Sequence, residues 1–405
     1  MRHLGASFEL ELTDNTLTER DKAFIRHFFV DPQNPVYTRN LFAGLTLDNL
    51  SEEPVFFRVM LAGLGHDRGW DGFPEEFLPR FKGIYDHFST DNEMKFTWLC
   101  SILRPLADSG IPVMLIKGAA MYAFYRRGMP RIMDDYDVAV PEADFARAAE
   151  LLREAGFGYA GTAPWSETFT ASVNGKQTKI DLHKHIFKNA ETADRHVWEN
   201  ALQTEAGGIK IMVPAPADMC LHLLDTEMRN YLYNEHPERR VKWIADWCML
   251  RDRYEDAFSP EKLRDLSVRF FDTCHVRLAM RVLSAVFPEL MAPETVARCF
   301  PDDEGYAEWL DRAAVFRARL MTVTALPDKK SLTPHHLYLA ARRWFSEYRL
   351  MGPELQAQYG KITFLDYFYR KTGSGNFTGA LKQYVPRLRL FGRTGRKDVI
   401  YHEGD

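Results

Sequence analysis

The chain has 405 residues, 46% hydrophobic and 27% charged, with a formal net charge of −4; that is enough for two or three domains around a large core. So small a net charge gives no general case for nucleic-acid binding, and five scattered cysteines without a C-x-x-C pair point to a reducing compartment. The first residues, MRHLGASFELELTDN, lack the apolar core of a signal peptide, and no run approaches the ~18 apolar residues of a membrane span, so a cytoplasmic protein is expected.

Residues 1–95 read as an N-terminal helical region. Thr18 to Val30 and Pro54 to Leu64 carry apolar residues at helical spacing, and Phe73-Pro74-Glu75-Glu76 reads as a helix start. The many aromatics, among them Phe24, Phe28, Phe57, Trp70 and Phe81, read first as bundle core; a pocket for an acceptor is the alternative. A helix from Asn92 to Asp108, stopped at Gly110, leads into a second region, residues 96–214.

The centre of that region is Met114 to Val140. A short apolar strand, Pro112 to Ile116, ends at Lys117-Gly118, where the glycine is expected to turn the backbone into a helix from Ala119 to about Arg127. A helix N-terminus behind such a turn favours anions. In the next strand, period-two alternation sets Tyr136, Val138 and Val140 on one face and Asp135, Asp137 and Ala139 on the other; Asp134 points away. Two carboxylates about 6 to 7 Å apart along a strand repel unless a cation lies between them, and a hard divalent ion suits oxygen ligands.

A helix from Glu142 to Ala155 and an edge strand from Phe157 to Tyr159 come next, and Ala160 to Glu167 reads as a loop in which Trp165 packs or stacks on a ring. Phe169 to Val173, the turn Asn174-Gly175, and Gln177 to His185 read as a β-hairpin. In its second strand Asp181, His183 and His185 share a face. If that strand pairs beside the Asp135 strand, three carboxylates converge, a set able to hold two Mg²⁺ ions and a nucleoside triphosphate.

Residues 215–350 read as a C-terminal helical domain. Pro216 opens its first helix, and Arg239 to Leu250 is another with Lys242 and Asp246 at i, i+4, a spacing that by itself predicts an ordinary ion pair of about 0.3–0.5 kcal/mol. Further helices are expected over Pro260 to Phe271, Val276 to Val282 and Tyr306 to Leu320, and from Thr333-Pro334. Residues 351–405 form a basic tail, with eight Lys or Arg and no acid between Arg370 and Lys397. It reads as a solvated tail or as a contact for an anionic partner.

Lys117-Gly118, Arg131-x-x-x-Asp135-x-Asp137, Asp181-Leu182-His183 and Lys242-Trp243-Ile244-x-Asp246 together resemble an uncharacterised bacterial nucleotidyltransferase family of the DNA polymerase β-like superfamily of minimal nucleotidyltransferases. The match covers roughly Leu103 to Leu250. The resemblance implies an α+β fold, a small mixed β-sheet core flanked by N-terminal and C-terminal helical regions. It also implies transfer of a nucleoside monophosphate from an NTP, with ATP the expected donor, and a requirement for Mg²⁺ or Mn²⁺. Asp135 and Asp137 are then metal ligands, and Asp181 is third ligand or base. Lys117, Gly118, Ala119 and Arg131 fall at the nucleotide, as do His183, Lys242 and Asp246, with Lys242 reaching phosphate and Asp246 orienting it or the acceptor. Where the superfamily has Gly-Ser or Gly-Gly at the phosphate turn, this chain has Gly118-Ala119, which leaves phosphate to backbone N–H groups and Lys117.

The acceptor is open: a small molecule, sugar, peptide or protein side chain would suit the same core. Two other readings compete, a nucleotide-binding or regulatory protein without turnover and a D-x-D metal-dependent glycosyltransferase.

Overall fold

The computed structural model describes residues 8–9, 17–125, 129–132, 135–163, 165–173, 176–187, 191–233, 240–255, 258–270 and 273–324. The expected Asn174-Gly175 turn, Asp134, the helix start at Thr333-Pro334 and the basic run Arg370 to Lys397 lie outside the described residues. The chain divides into two compact units. The larger comprises Leu10–Met228 and His236–Pro301 and holds the whole sheet; the other comprises Met1–Glu9, Arg229–Glu235 and Asp302–Asp405.

In the larger unit, α1 (Glu19–Phe29) starts at a capping box in which the Thr18 hydroxyl accepts from the Asp21 N–H and the Asp21 carboxylate accepts from the Thr18 N–H. Helices α2 (Pro35–Phe42) and α3 (Val55–Asp67) follow. Phe24, Phe28 and Phe57 are fully buried, with Phe24 5.2 Å from Phe28 and 5.4 Å from Phe57 between ring centroids, so these aromatics do form core. Helix α4 (Leu78–Asp108) is a single rod of 31 residues stopped by Gly110 at φ 74. The sequence pattern starts it only at Asn92 because no side chain from Lys82 to Asp91 is buried, so the apolar period lapses while the backbone stays helical.

The sheet has seven strands in the order β3-β4-β5-β2-β1-β7-β6. Strand β1 (Met114–Leu115) leads directly into α5 (Lys117–Phe124), and β2 (Tyr136–Ala139) returns antiparallel to β1. After a 3₁₀ turn at Glu142–Asp144 and α6 (Phe145–Glu154) come β3 (Gly158–Ala163), β4 (Ser166–Val173) and β5 (Lys176–His183). The stretch expected to be a loop from Ala160 to Glu167 is instead mostly strand: β3 runs to Ala163 and pairs antiparallel with β4, with a register shift between Tyr159 and Gly161. Pairing with a neighbour overrides the weak strand propensity of Gly161 and Ala163.

Helix α7 (Glu191–Asn200) and the hairpin of β6 (Leu202–Ala206) and β7 (Ile209–Val213) complete the sheet, with β7 parallel to β1. Gly207 and Gly208, at φ 56 and 72, make the turn of this hairpin. Met114, Ile116 and Ala139 bury against Ile186, Phe187, Ala193 and Val197.

Then come α8 (Pro216–Tyr233), α9 (Arg240–Arg253), α10 (Pro260–Phe270), α11 (Thr273–Val286) and α12 (Pro293–Cys299). Helix α8 belongs to the larger unit as far as Met228. Trp247 of α9 is fully buried, and Arg26 of α1 reaches Glu289 at 2.6 Å and the Val286 carbonyl at 2.9 Å, tying the first helix to the end of α11. The architecture is α+β, a mixed sheet flanked by helices. In the smaller unit α13 (Glu304–Thr324) starts where the Asp303 carboxylate accepts from the Tyr306 N–H at 2.7 Å. Among the described residues no helix is long and apolar enough to cross a membrane.

Candidate active site

The site is set by one pairing. Strands β2 and β5 are parallel neighbours with Asp137 opposite Asp181 and Ala139 opposite His183. Because side chains alternate along each strand, that register sets Asp135, Asp137, Lys179, Asp181 and His183 on one face. The Lys117 ammonium bonds to Asp137 from the start of α5, and the His183 Nε2 lies 2.9 Å from the same carboxylate oxygen. Lys179 spans the other two acids, at 3.0 Å from Asp181 and 3.4 Å from Asp135. The Thr168 hydroxyl, across on β4, donates to Asp181 at 2.7 Å.

Crowding shows in the ionisation of these groups. Burial, with Asp137 and Asp181 nearby, pushes the Asp135 carboxyl up against the pull of Lys179 and Lys117. Burial would raise Asp137 too, but Lys117 and His183 outweigh it and hold that carboxyl well below the usual carboxylate range. Both lysines are raised, the carboxylates outweighing the cost of burial.

A raised Asp135 means that its charge costs stability above the folded-state pKa, and that the cost is absent below the ordinary value of 3.8. Asp135→Asn should therefore raise the thermal midpoint at pH 7, by a few degrees at most because the side chain is 40% exposed, and the gain should vanish near pH 3. A variant less stable than the parent at pH 7 contradicts this account of the crowding.

The turn into α5 differs from expectation in detail. Lys117, not Gly118, takes the left-handed conformation, at φ 49. For a residue with a side chain this costs about 1–2 kcal/mol, and the bond to Asp137 holds Lys117 there. No side chain caps this helix, and Ala119 is fully buried, so its first turn presents backbone N–H groups beside Lys117.

Arg131 and Asp246 meet away from the carboxylates. The Arg131 guanidinium donates to Asp246 of α9 at 2.8 and 3.3 Å, the Tyr125 hydroxyl donates to the same carboxylate, and Asn92 of α4 donates to the Arg131 carbonyl at 2.6 Å. Arg131 and Asp246 are both buried, and their pairing pushes the guanidinium pKa up despite burial. Residues 129–130, just before Arg131, pack on Gly63 of α3, where a Cβ would lie 3.1 Å from Pro130. Lys242 lies on the same helix as Asp246, with its ammonium 5.6 Å from the centroid of the Phe56 ring. His185 is occupied structurally: its Nδ1 is 2.9 Å from Asp194, whose carboxylate also accepts the Ile186 and Phe187 N–H groups. The carbonyl of Trp165 accepts from the Lys184 N–H at 2.9 Å.

Lys179 and Thr168 were not among the candidates read from the sequence. Alternation alone places Lys179 on the face of Asp181, so it was open to discovery; Thr168 depends on the β4–β5 register and was not.

The donor set suits a hard divalent cation: three carboxylates on two adjacent strands, one of them already raised by its neighbours. As the side chains stand, no group of three ligating residues among the described ones is spaced to hold an ion, and Lys179 bridges two of the three acids.

A mixed sheet with acids on paired parallel strands, beside a helix N-terminus that no side chain caps, joins candidate ligands for a cation to a place favourable to an anion. The chain matches the uncharacterised nucleotidyltransferase family over residues 59–288, more than half its length, and it belongs to that family. Among solved structures, an antigenic nucleotidyltransferase-like protein from Paracoccidioides brasiliensis is similar at 11% identity, over 52% of this chain and 96% of that one, with a TM-score of 0.34. Among curated proteins none matches the sequence.

Proposed function

We propose that the protein moves a nucleoside monophosphate from a nucleoside triphosphate to a hydroxyl acceptor and releases pyrophosphate. The observation that carries this reading is the β2–β5 register, which sets Asp137 beside Asp181 with Asp135 on the same face. Asp135, Asp137 and Asp181 would hold Mg²⁺ or Mn²⁺, which when bound neutralises the triphosphate and activates the acceptor oxygen. The first-turn N–H groups of α5, at Lys117, Gly118 and Ala119, bind the polyphosphate, and Lys117 turns toward it from Asp137. Thr168 orients Asp181, which takes the acceptor proton, and His183 fixes Asp137.

Arg131 and Asp246 act as positioning residues, holding the chain four residues ahead of Asp135. Lys242, on the same helix, is the residue we assign to phosphate, although its ammonium stands over the Phe56 ring. ATP is the first donor to try, the acceptor class is a hydroxyl on a sugar, small molecule, peptide or protein, and the compartment is the cytoplasm. A bacterial origin and kinship with the polymerase β-like superfamily belong to the same reading.

The test is pyrophosphate release from each of the four NTPs with Mg²⁺ over a panel of hydroxyl acceptors, for the parent and for an Asp135→Asn, Asp137→Asn double variant. Release by the parent alone is expected. NTP binding with no release over the whole panel favours a nucleotide-binding protein without turnover, a reading that draws on the Lys117 bond to Asp137. Reaction with sugar nucleotides instead of NTPs points to a glycosyltransferase.

A further inference from the structure

We infer that Lys179 serves two ligands in turn, the carboxylates Asp135 and Asp181 when no divalent cation is bound and the polyphosphate of the nucleotide when one is. The inference rests on the nucleotidyl-transfer reading and gives a role to a residue that the motifs leave out.

Three observations support it. Among the described residues Lys179 is the cation that bridges two of the carboxylates, Asp181 at 3.0 Å and Asp135 at 3.4 Å. Its side chain is 41% exposed and Asp135 is 40% exposed, so the contact is open to exchange with solvent ions. Two other described cations are engaged otherwise: Lys117 with the buried Asp137, which His183 also contacts, and Arg131 with Asp246.

Charge then determines the order of events. A divalent ion on Asp135 and Asp181 brings positive charge to within a few ångströms of the ammonium, and the two repel. Lysine is a point charge on a flexible four-carbon stem and can swing clear, whereas a bidentate arginine would lose its planar fit. On the same sheet face, beside the start of α5, the strongest negative charge available once the acids are neutralised is that of the nucleotide phosphates. Lys179 therefore stabilises the acid cluster in the metal-free protein and binds the donor in the loaded one.

Two binding measurements with opposite expected signs test this. Mn²⁺ titration of the full chain by electron paramagnetic resonance should show Lys179→Met binding the ion about tenfold more tightly than the parent in the absence of nucleotide, since one screened unit charge at this distance is worth about that factor. The Mn²⁺ complexes of the four α,β-methylene NTP analogues, titrated by calorimetry, should bind about tenfold more weakly to the same variant. Lys179→Arg, which keeps the charge but favours a planar grip on the carboxylates, should recover only part of the nucleotide affinity. A purely structural role for Lys179 would move both affinities in the same direction, so shifts of equal sign, or an unchanged Mn²⁺ affinity, overturn the inference.

The Asp135→Asn, Asp137→Asn variant separates this inference from the reading beneath it. If that variant loses Mn²⁺ and nucleotide while Lys179→Met matches the parent, only the role of Lys179 falls. If the double variant binds as the parent does, or if nothing binds to any variant, the carboxylate site falls and the inference with it.

Discussion

Asp246→Ala should destabilise the protein by about 3–5 kcal/mol, because it leaves the Arg131 guanidinium buried without its counter-charge. The pair has side-chain exposures of only 4% and 1%, so solvent cannot compensate. Denaturant unfolding followed by tryptophan fluorescence reads the effect directly, and Trp247 lies one residue away as a reporter. Replacing both partners, Arg131→Met with Asp246→Leu, should restore most of the loss, since two matched apolar side chains need no solvation. A double replacement as unstable as the single one would mean that the Tyr125 hydrogen bond to Asp246, lost in both, and not the ion pair, carries the clamp. Either way the chain ahead of Asp135 loses its anchor, so affinity for nucleotide should fall even though neither residue touches the carboxylates.

The second large effect is expected at the opposite end of that segment. If Asp137 is a metal ligand as proposed, Asp137→Asn should lower Mg²⁺-dependent NTP affinity by about 100-fold or more, since losing a direct ligand exceeds the 10–100-fold cost of losing an outer-shell partner. The substitution keeps the shape of the side chain, and the amide oxygen still accepts from His183, so the fold should survive. Lys117, with 33% of its side chain exposed, can turn to solvent. Asp135→Asn should cost far less, because that carboxylate is half-buried and already raised by its neighbours. Calorimetric titration with and without Mg²⁺ measures both. Equal losses at the two positions would remove Asp137 from the centre of the site and shift it toward Asp135.

Much of this was legible in the chain itself. Alternation along Asp135 to Val140 set the acids on one face, apolar spacing from Thr18 to Val30 marked a helix, and Gly110 marked a stop, which its left-handed backbone explains. Each of these patterns is short-range, decided within a few bonds by sterics and hydrogen bonding. The hairpin from Leu202 to Val213 is harder to see because only β7 alternates clearly, at Ile209, Ile211 and Val213, while β6 has only Leu202 and Ala206 as apolar residues.

What only the tertiary structure decided is which charges meet. Period two says which face Asp181 takes but not that β5 lies parallel beside β2, because strand order follows from burying the whole sheet under its helices. The i, i+4 spacing of Lys242 and Asp246 proposes a local ion pair, whereas Asp246 turns inward to Arg131, 115 residues away in sequence. A buried carboxylate requires full compensation, and a guanidinium with a tyrosine hydroxyl supplies more of it in the interior than a lysine on the helix surface. The same reasoning applies to Lys117 and Lys179: the sequence by itself determined where the acids stand along their strands, and only the folded sheet decided which cations stand against them.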